Sequence, residues 1–177
     1  PCPSSPLREM PMIQVLLVDD HPIVRAGYAR FLEQDGDITV VAEAACADSG
    51  YSAYLRHQPD VTISDISMPH VGGMELLRKI KQRSTSAKVL MCSMYDARNL
   101  VRSALEGGAI GFVTKNSPPE NLVQAVRSAY SGQRYLSDDL SSHQFYQEAD
   151  EEADRIAQLT LRELEIWRLL ARSEERR

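Results

Sequence analysis

Five polar residues stand where short apolar runs end. Asp19 and Asp20 follow Val15-Leu16-Leu17-Val18, Asp65 follows Val61-Thr62-Ile63-Ser64, Ser93 follows Val89-Leu90-Met91-Cys92, and Lys115 follows Phe112-Val113-Thr114. If each run is a buried parallel strand, three carboxylates, a hydroxyl and an ammonium emerge at one carboxyl edge of a sheet. Open α/β sheets bind ligands in the crevice outside that edge. This set of groups suits a divalent cation and a phosphoryl group.

Asp65 is the leading candidate nucleophile, because a carboxylate can attack phosphorus to give a mixed anhydride. The plainer reading is a surface aspartate before a Pro-Gly turn. Asp19 and Asp20 beside it would repel it: two unit charges about 4 Å apart cost roughly 4 kcal/mol at an effective dielectric near 20. Three such groups hold a proton or bind a cation. Mg2+ takes oxygen ligands and prefers one or two carboxylates with water and phosphate. Asp20 could instead cap the helix that begins near Pro22. Lys115 offers a point charge for Asp65 or a phosphoryl oxygen, although a lysine after a strand is usually only solvated. Ser93 offers a hydroxyl, or forms a turn; Phe112 is by default core. His21, in a loop beside a proline, reads as a surface residue and is given no catalytic role. No zinc spacing, P-loop, Ser-His-Asp set or glycine-rich dinucleotide motif stands out.

The elements that would position these groups alternate over residues 13–131. Strands are expected at 13–18, 38–41, 61–64, 88–92 and 111–114. Helices are expected at 22–32, 48–57, 74–82, 99–106 and 119–131. Pro22 suits a first helical turn, Gln58-Pro59 breaks a helix, and Gly107-Gly108 ends one. Met74, Leu76, Leu77 and Ile80 recur at helical spacing. Run-like apolar strands alternating with helices predict a doubly wound parallel sheet covered on both faces.

The 177 residues carry a formal net charge of −5 and are 43% hydrophobic. That is enough for one domain and part of another, and argues against wholesale disorder. The mild acidity argues against a dominant polyanion-binding surface. Cys2, Cys46 and Cys92 show no paired or metal-type spacing, which suggests reduced thiols in a cytosolic protein. No stretch is long enough to cross a bilayer, and residues 1–11, with four prolines, read as a flexible lead. Met10 and Met12 offer starts within or next to it.

Residues 136–158 are polar and acidic (Asp150-Glu151-Glu152-Ala153-Asp154) and read as a linker. Thr160-Leu161-Arg162-Glu163 then forms a capping box. Leu161, Leu164, Trp167 and Leu170 give the new helix an apolar stripe that one helix alone cannot bury.

Taken together, Val15-Leu16-Leu17-Val18-Asp19-Asp20-His21-Pro22 with Arg25 and Gly27, Pro59-Asp60-Val61 leading to Asp65, Met68-Pro69 and Gly73, and Gly107-Gly108-Ala109 leading to Gly111-Phe112-Val113-Thr114-Lys115 resemble the receiver domain of bacterial two-component response regulators of the NarL/FixJ (LuxR-type) subfamily. The likeness covers residues 13–137, with the receiver placed at 12–135. It implies a flavodoxin-like sheet of five strands in the order 2-1-3-4-5 with a C-terminal helical extension. It implies that Asp65 is the phospho-acceptor. Mg2+ would be held by Asp20, Asp65 and the backbone carbonyl of Ser67, with Asp19 in the acidic pocket and acting indirectly. Ser93 is the implied switch hydroxyl, Phe112 the switch aromatic and Lys115 the phosphate-contacting lysine. A sensor histidine kinase would be the donor, a homodimer the readout, and the cytoplasm the location. The protein would be no enzyme beyond accepting and losing its own phosphoryl group.

The stretch from Leu159 to Ile166 is similar to the first helix of a LuxR-type DNA-binding domain. That helix, at 159–177, is incomplete, so DNA contact is expected only through a complete C-terminal domain. Asn116 departs from the proline that many receivers carry after the lysine, which removes the usual candidate for a cis bond. Two other readings stay open. A haloacid-dehalogenase-like phosphohydrolase would want an aspartate where Ser67 stands, and a phosphorylation-independent dimerisation module would have no use for an intact site.

Overall fold

The structure, a computed structural model, describes residues 12–69, 72–95, 98–137 and 140. The elements run β1 (Ile13–Val18), α1 (Pro22–Glu33), β2 (Ile38–Ala44), α2 (Ala47–His57), β3 (Val61–Asp65), α3 (Gly73–Arg83), β4 (Val89–Ser93), α4 (Arg98–Glu106), β5 (Gly111–Thr114), α5 (Pro119–Tyr130) and β6 (Tyr135–Leu136). All strand pairs are parallel, in the order β2-β1-β3-β4-β5-β6. The five expected strands and their order are therefore present. A sixth strand of two residues is added at the β5 edge, Gly111 opposite Tyr135 and Phe112 opposite Leu136. Beyond it, Ser137 and Leu140 are buried as well, the Ser137 N–H donating to the Phe112 carbonyl at 3.1 Å. The residues expected to form the lead (1–11), most of the linker (141–158) and the helix at 159–177 lie outside the described residues.

The inner strands are buried because helices cover both sheet faces: β3, β4 and β5 are buried at every position, the polar Thr62 and Ser64 of β3 included. Val15, Leu17, Ile63, Leu90, Cys92 and Val113 share one cluster with Leu32 of α1 and Leu122, Val126 and Ala129 of α5. Leu16, Val18, Met91 and Phe112, alternate along the same strands, are buried together with Leu76, Leu77 and Ile80 of α3 and Val101 and Ala104 of α4. Each buried Val, Leu, Ile, Met or Phe among them contributes about 1.5–3 kcal/mol. That is enough to fix register, because a one-residue slip would turn every apolar residue to the wrong face. Burial also pushes the Cys92 thiol up to about 12, so it stays a small, unreactive core group. Gly111 is required where β6 closes on β5, since a Cβ there would lie 2.4 Å from the Tyr135 carbonyl oxygen.

α2 ends as the sequence predicts. Gln58 adopts φ 45°, and its N–H donates to the Tyr54 carbonyl at 2.9 Å; Pro59 disfavours a further right-handed turn.

Arg127 on α5 holds the α1–β2 turn. Its Nε and Nη2 donate to the two oxygens of Asp37 at 2.8 and 2.9 Å, and Nη2 also reaches Asp35 at 2.8 Å. The hydrogen bond from Arg127 holds the Asp37 carboxyl below the usual carboxylate range. A depressed carboxyl contributes stability above its unfolded value, about pH 4, and loses it as pH falls through the lower folded value. The fork is partly solvated, so Arg127→Ala should cost about 1 kcal/mol or less in urea unfolding at pH 7. The difference from the parent chain should shrink as the pH is lowered below about 4.

Candidate functional site

Each strand end delivers one member of the site. Asp19 follows β1, and its backbone N–H donates to Ala44 at the end of β2 at 3.1 Å. Asp65 is the last residue of β3, in register with Cys92 of β4. Lys115 follows β5, and its N–H donates to the Ser93 carbonyl at 2.7 Å. Because β1, β3, β4 and β5 are parallel neighbours, residues remote in sequence meet at one edge.

The Lys115 ammonium donates to Asp19 Oδ2 at 2.6 Å and to Asp65 Oδ2 at 2.7 Å. The three side chains are nearly inaccessible, 4% exposed for Lys115 and 2% for each aspartate. Burial opposes the charged ammonium, but the hydrogen bonds with Asp19 and Asp65 outweigh it and raise the Lys115 pKa above its ordinary value. Lys115 is thus a buried bridge that pairs with Asp65, not a solvated lysine. Asp19, placed by the resemblance in the acidic pocket, touches that bridge directly.

The second oxygen of each aspartate is also occupied. Asp19 Oδ1 accepts the His21 N–H at 2.8 Å, an Asx-type turn that aims the carboxylate inward. Asp65 Oδ1 accepts the Ser67 N–H at 3.1 Å. Gly73 opens α3 against this loop, with its N–H on the Ile66 carbonyl at 3.1 Å.

Asp20 is half-buried and its side chain does not cap α1. Its Oδ1 is shielded from solvent and accepts no hydrogen bond among the described residues. The His21 Nδ1 lies 2.9 Å from that oxygen, close but not hydrogen-bonded to it. Asp19, Asp20, His21 and Asp65 each present one ligand atom, all within 4.8 Å of one another. Three carboxylates against one ammonium leave two negative charges uncompensated. A shielded, unpartnered carboxylate oxygen in such surroundings is what a hard divalent cation would satisfy. The residues present therefore fit Mg2+.

Ser93 is wholly buried, and its hydroxyl accepts the Tyr95 N–H at 3.0 Å. Phe112 is wholly buried in β5, between Met91 and Leu136 in register. The Asn116 side-chain amide donates to the Met94 carbonyl at 3.4 Å, and there is no cis peptide bond among the described residues.

Two residues matter more than the sequence alone suggested. Arg25 donates through Nη1 to the Asp19 carbonyl at 2.6 Å and through Nε to Glu43 at 3.1 Å, tying α1 to the ends of β1 and β2. His21 is exposed as expected, at 63%, yet its ring is turned onto the carboxylates. The Asp-Asp-His-Pro spacing carried the signal for the turn, but nothing in it gave the ring's direction.

The model of the response regulator receiver domain matches residues 15–127. The chain is 36% identical over 166 residues to Response regulator UvrY of Escherichia coli (strain K12), an alignment that spans 93% of this chain and 76% of that protein. Among solved structures, the crystal structure of a two-component response regulator of the LuxR family from Aurantimonas sp. SI85-9A1 superposes with a TM-score of 0.72 at 40% identity, covering 80% of this chain and 98% of that one. The isolated REC domain of RcsB from Salmonella enterica serovar Typhimurium, determined with the phosphomimetic BeF3−, superposes with a TM-score of 0.68 at 26% identity, covering 73% of this chain and 96% of that one.

Proposed function

The chain belongs to the response regulator receiver family, and on that premise we propose that Asp65 accepts the phosphoryl group of a sensor histidine kinase. The observation that carries this reading is the Lys115 bridge, 2.6 Å from Asp19 and 2.7 Å from Asp65 at the end of a central strand. A nucleophilic carboxylate, a second carboxylate and a mobile cation are held on rigid supports, as phosphoryl transfer by positioning and electrostatics requires.

In the transfer, an Asp65 carboxylate oxygen forms the new P–O bond while the P–N bond to the kinase histidine breaks, and the bonding pair stays on the imidazole nitrogen. Lys115 follows the negative charge from Asp65 onto a phosphoryl oxygen. Bound Mg2+, held by Asp20, Asp65 and the Ser67 carbonyl with Asp19 beside them, would neutralise the charge gathered at the phosphoryl group. The Ser93 hydroxyl exchanges the Tyr95 N–H for a phosphoryl oxygen. The β4–α4 loop moves with it, and the packed Phe112 ring occupies the space Ser93 vacates.

The consequence is a shift between two packings of the face formed by α4, β5 and α5, for which a few kcal/mol of differential interaction suffices. That face leads to a homodimer. In a chain with a complete C-terminal domain, the dimer sets the spacing of two DNA-binding units and so controls transcription. The cytoplasm, where kinase and DNA are both accessible, is the compartment this implies. No helix among the described residues is long and apolar enough to cross a membrane.

Incubation with acetyl phosphate and Mg2+ should add one phosphate to the intact mass, and a chelator should prevent it. Asp65→Asn, whose amide is no nucleophile, should gain none. Equal phosphorylation of that variant would remove the assignment. Turnover of a small phosphate ester would favour the haloacid-dehalogenase-like reading, against which Ser67 stands at the position where that chemistry needs an aspartate.

A further inference from the structure

His21 occupies the N-cap position of α1, where a side chain commonly satisfies an orphan backbone N–H. It makes no such bond. Pro22 at the first helical position already removes one of the donors that a cap would serve. The imidazole is instead turned to the acidic edge, with Nδ1 2.9 Å from Asp20 Oδ1 and 3.3 Å from Asp19 Oδ1.

These separations have a chemical meaning. Two ligands at right angles on one ion, each bonded at about 2.0–2.1 Å, stand about 2.9 Å apart. Asp20 Oδ1 and His21 Nδ1 are at that distance, yet Oδ1 accepts no hydrogen bond. Capping does not account for the ring's position. Its contact with Asp20 is an ion pair only when the imidazole is protonated, whereas the unprotonated ring offers Nδ1 as a ligand atom within 4.8 Å of those of Asp19, Asp20 and Asp65. The donor set then contains a nitrogen as well as oxygens, and imidazole favours first-row transition ions over Mg2+.

We infer that His21 is a metal ligand of this pocket, and that it strengthens the pocket's hold on imidazole-accepting divalent ions of the Mn2+-to-Zn2+ class while leaving Mg2+ to the carboxylates. The inference rests on the cation site proposed above and extends it by one residue. Such an ion would occupy the same carboxylates as Mg2+ with a ligand Mg2+ has little use for. The identity of the divalent ion, and with it the occupancy of the phosphorylation site at low Mg2+, would depend on His21.

The test is calorimetric titration of the chain and its His21→Gln variant with Mg2+ and, separately, with Co2+. Oxygen-ligated ions of the first row bind more tightly than Mg2+ in any case, so the informative quantity is the effect of the substitution on each ion. Partners outside the ligand shell are themselves worth about 10–100-fold in affinity, so losing a ligand should weaken Co2+ by at least ~10-fold. Mg2+, which prefers oxygen, should change by less than ~2-fold, and that also shows the pocket intact in the variant. The visible absorption of bound Co2+ should differ between the two proteins, since its colour reports nitrogen ligation. Unchanged Co2+ affinity, or equal losses for both ions, overturns the inference and leaves the phosphorylation reading standing. Failure of both ions to bind the parent chain overturns the inference together with the cation site.

Discussion

Lys115→Met should destabilise the fold by on the order of 3–5 kcal/mol at neutral pH, the usual cost of removing one partner from a buried ion pair. The substitution keeps the length and apolar stem of the side chain. What it removes is the ammonium that lies between Asp19 and Asp65, both 2% exposed. Two carboxylates are then left facing one another in a site that water scarcely reaches. They can relieve the repulsion by taking up a proton or a cation. The folded variant would then bind more protons than its unfolded chain, so its stability should rise as pH falls from 7 towards about 5. Added Mg2+ should stabilise the variant more than the parent chain, because in the variant it replaces a missing charge. Urea unfolding at two pH values, with and without Mg2+, measures all three effects. A loss below about 1 kcal/mol, independent of pH and Mg2+, would mean that Lys115 is a solvated surface residue after all.

Gly73→Ala should be the second large loss, and for a different reason. A Cβ at Gly73 would stand 1.9 Å from the Asp65 carbonyl oxygen, 2.8 Å from its carbon and 2.9 Å from the Ser64 hydroxyl. Two of these atoms are backbone of the strand that carries the nucleophile, so no rotamer change relieves the clash. Either α3 backs away or the end of β3 bends. The expected cost is about 3 kcal/mol or more, at the upper end of overpacking, together with slower phosphorylation because Asp65 moves. Gly27→Ala is the control. Gly27 lies inside α1 and a Cβ there meets nothing within 4 Å. That substitution should therefore stabilise by about 0.5–1 kcal/mol through helix propensity alone. Similar responses at the two glycines would show that close approach to Asp65 is not what Gly73 is for.

The contrast between these glycines also shows where sequence reading stops. Apolar runs ending in Asp19, Asp65, Ser93 and Lys115 betray a parallel sheet because burial on both faces permits few polar interruptions. The common edge follows from parallel topology without any side-chain detail. Strand order, by contrast, came only with the family resemblance. β6 was not foreseen because Tyr135 and Leu136 are too short a run to carry a period. Their place is set by Gly111, whose missing side chain lets a second backbone approach.

Within the site, residue types were legible and orientations were not. Lys115 has the same letter whether solvated or buried; the structure makes it the bridge. The resemblance puts Asp19 in the acidic pocket without saying where its carboxylate points; the turn closed by the His21 N–H aims it at Lys115. The sequence offers Ser93 as a strand-end hydroxyl and Phe112 as core, and the resemblance adds a switch role to each. Both are wholly buried, the former bonded to Tyr95 and the latter packed in register with its neighbours.

The most direct measurement is chemical localisation of the phosphoryl group. After reaction with acetyl phosphate and Mg2+, borohydride reduces an aspartyl phosphate to homoserine, which proteolysis and mass spectrometry place in the sequence. Homoserine is expected at position 65 alone, dependent on Mg2+. Phosphate recovered on another residue, or no homoserine at 65 in protein that has gained a phosphate, would contradict it.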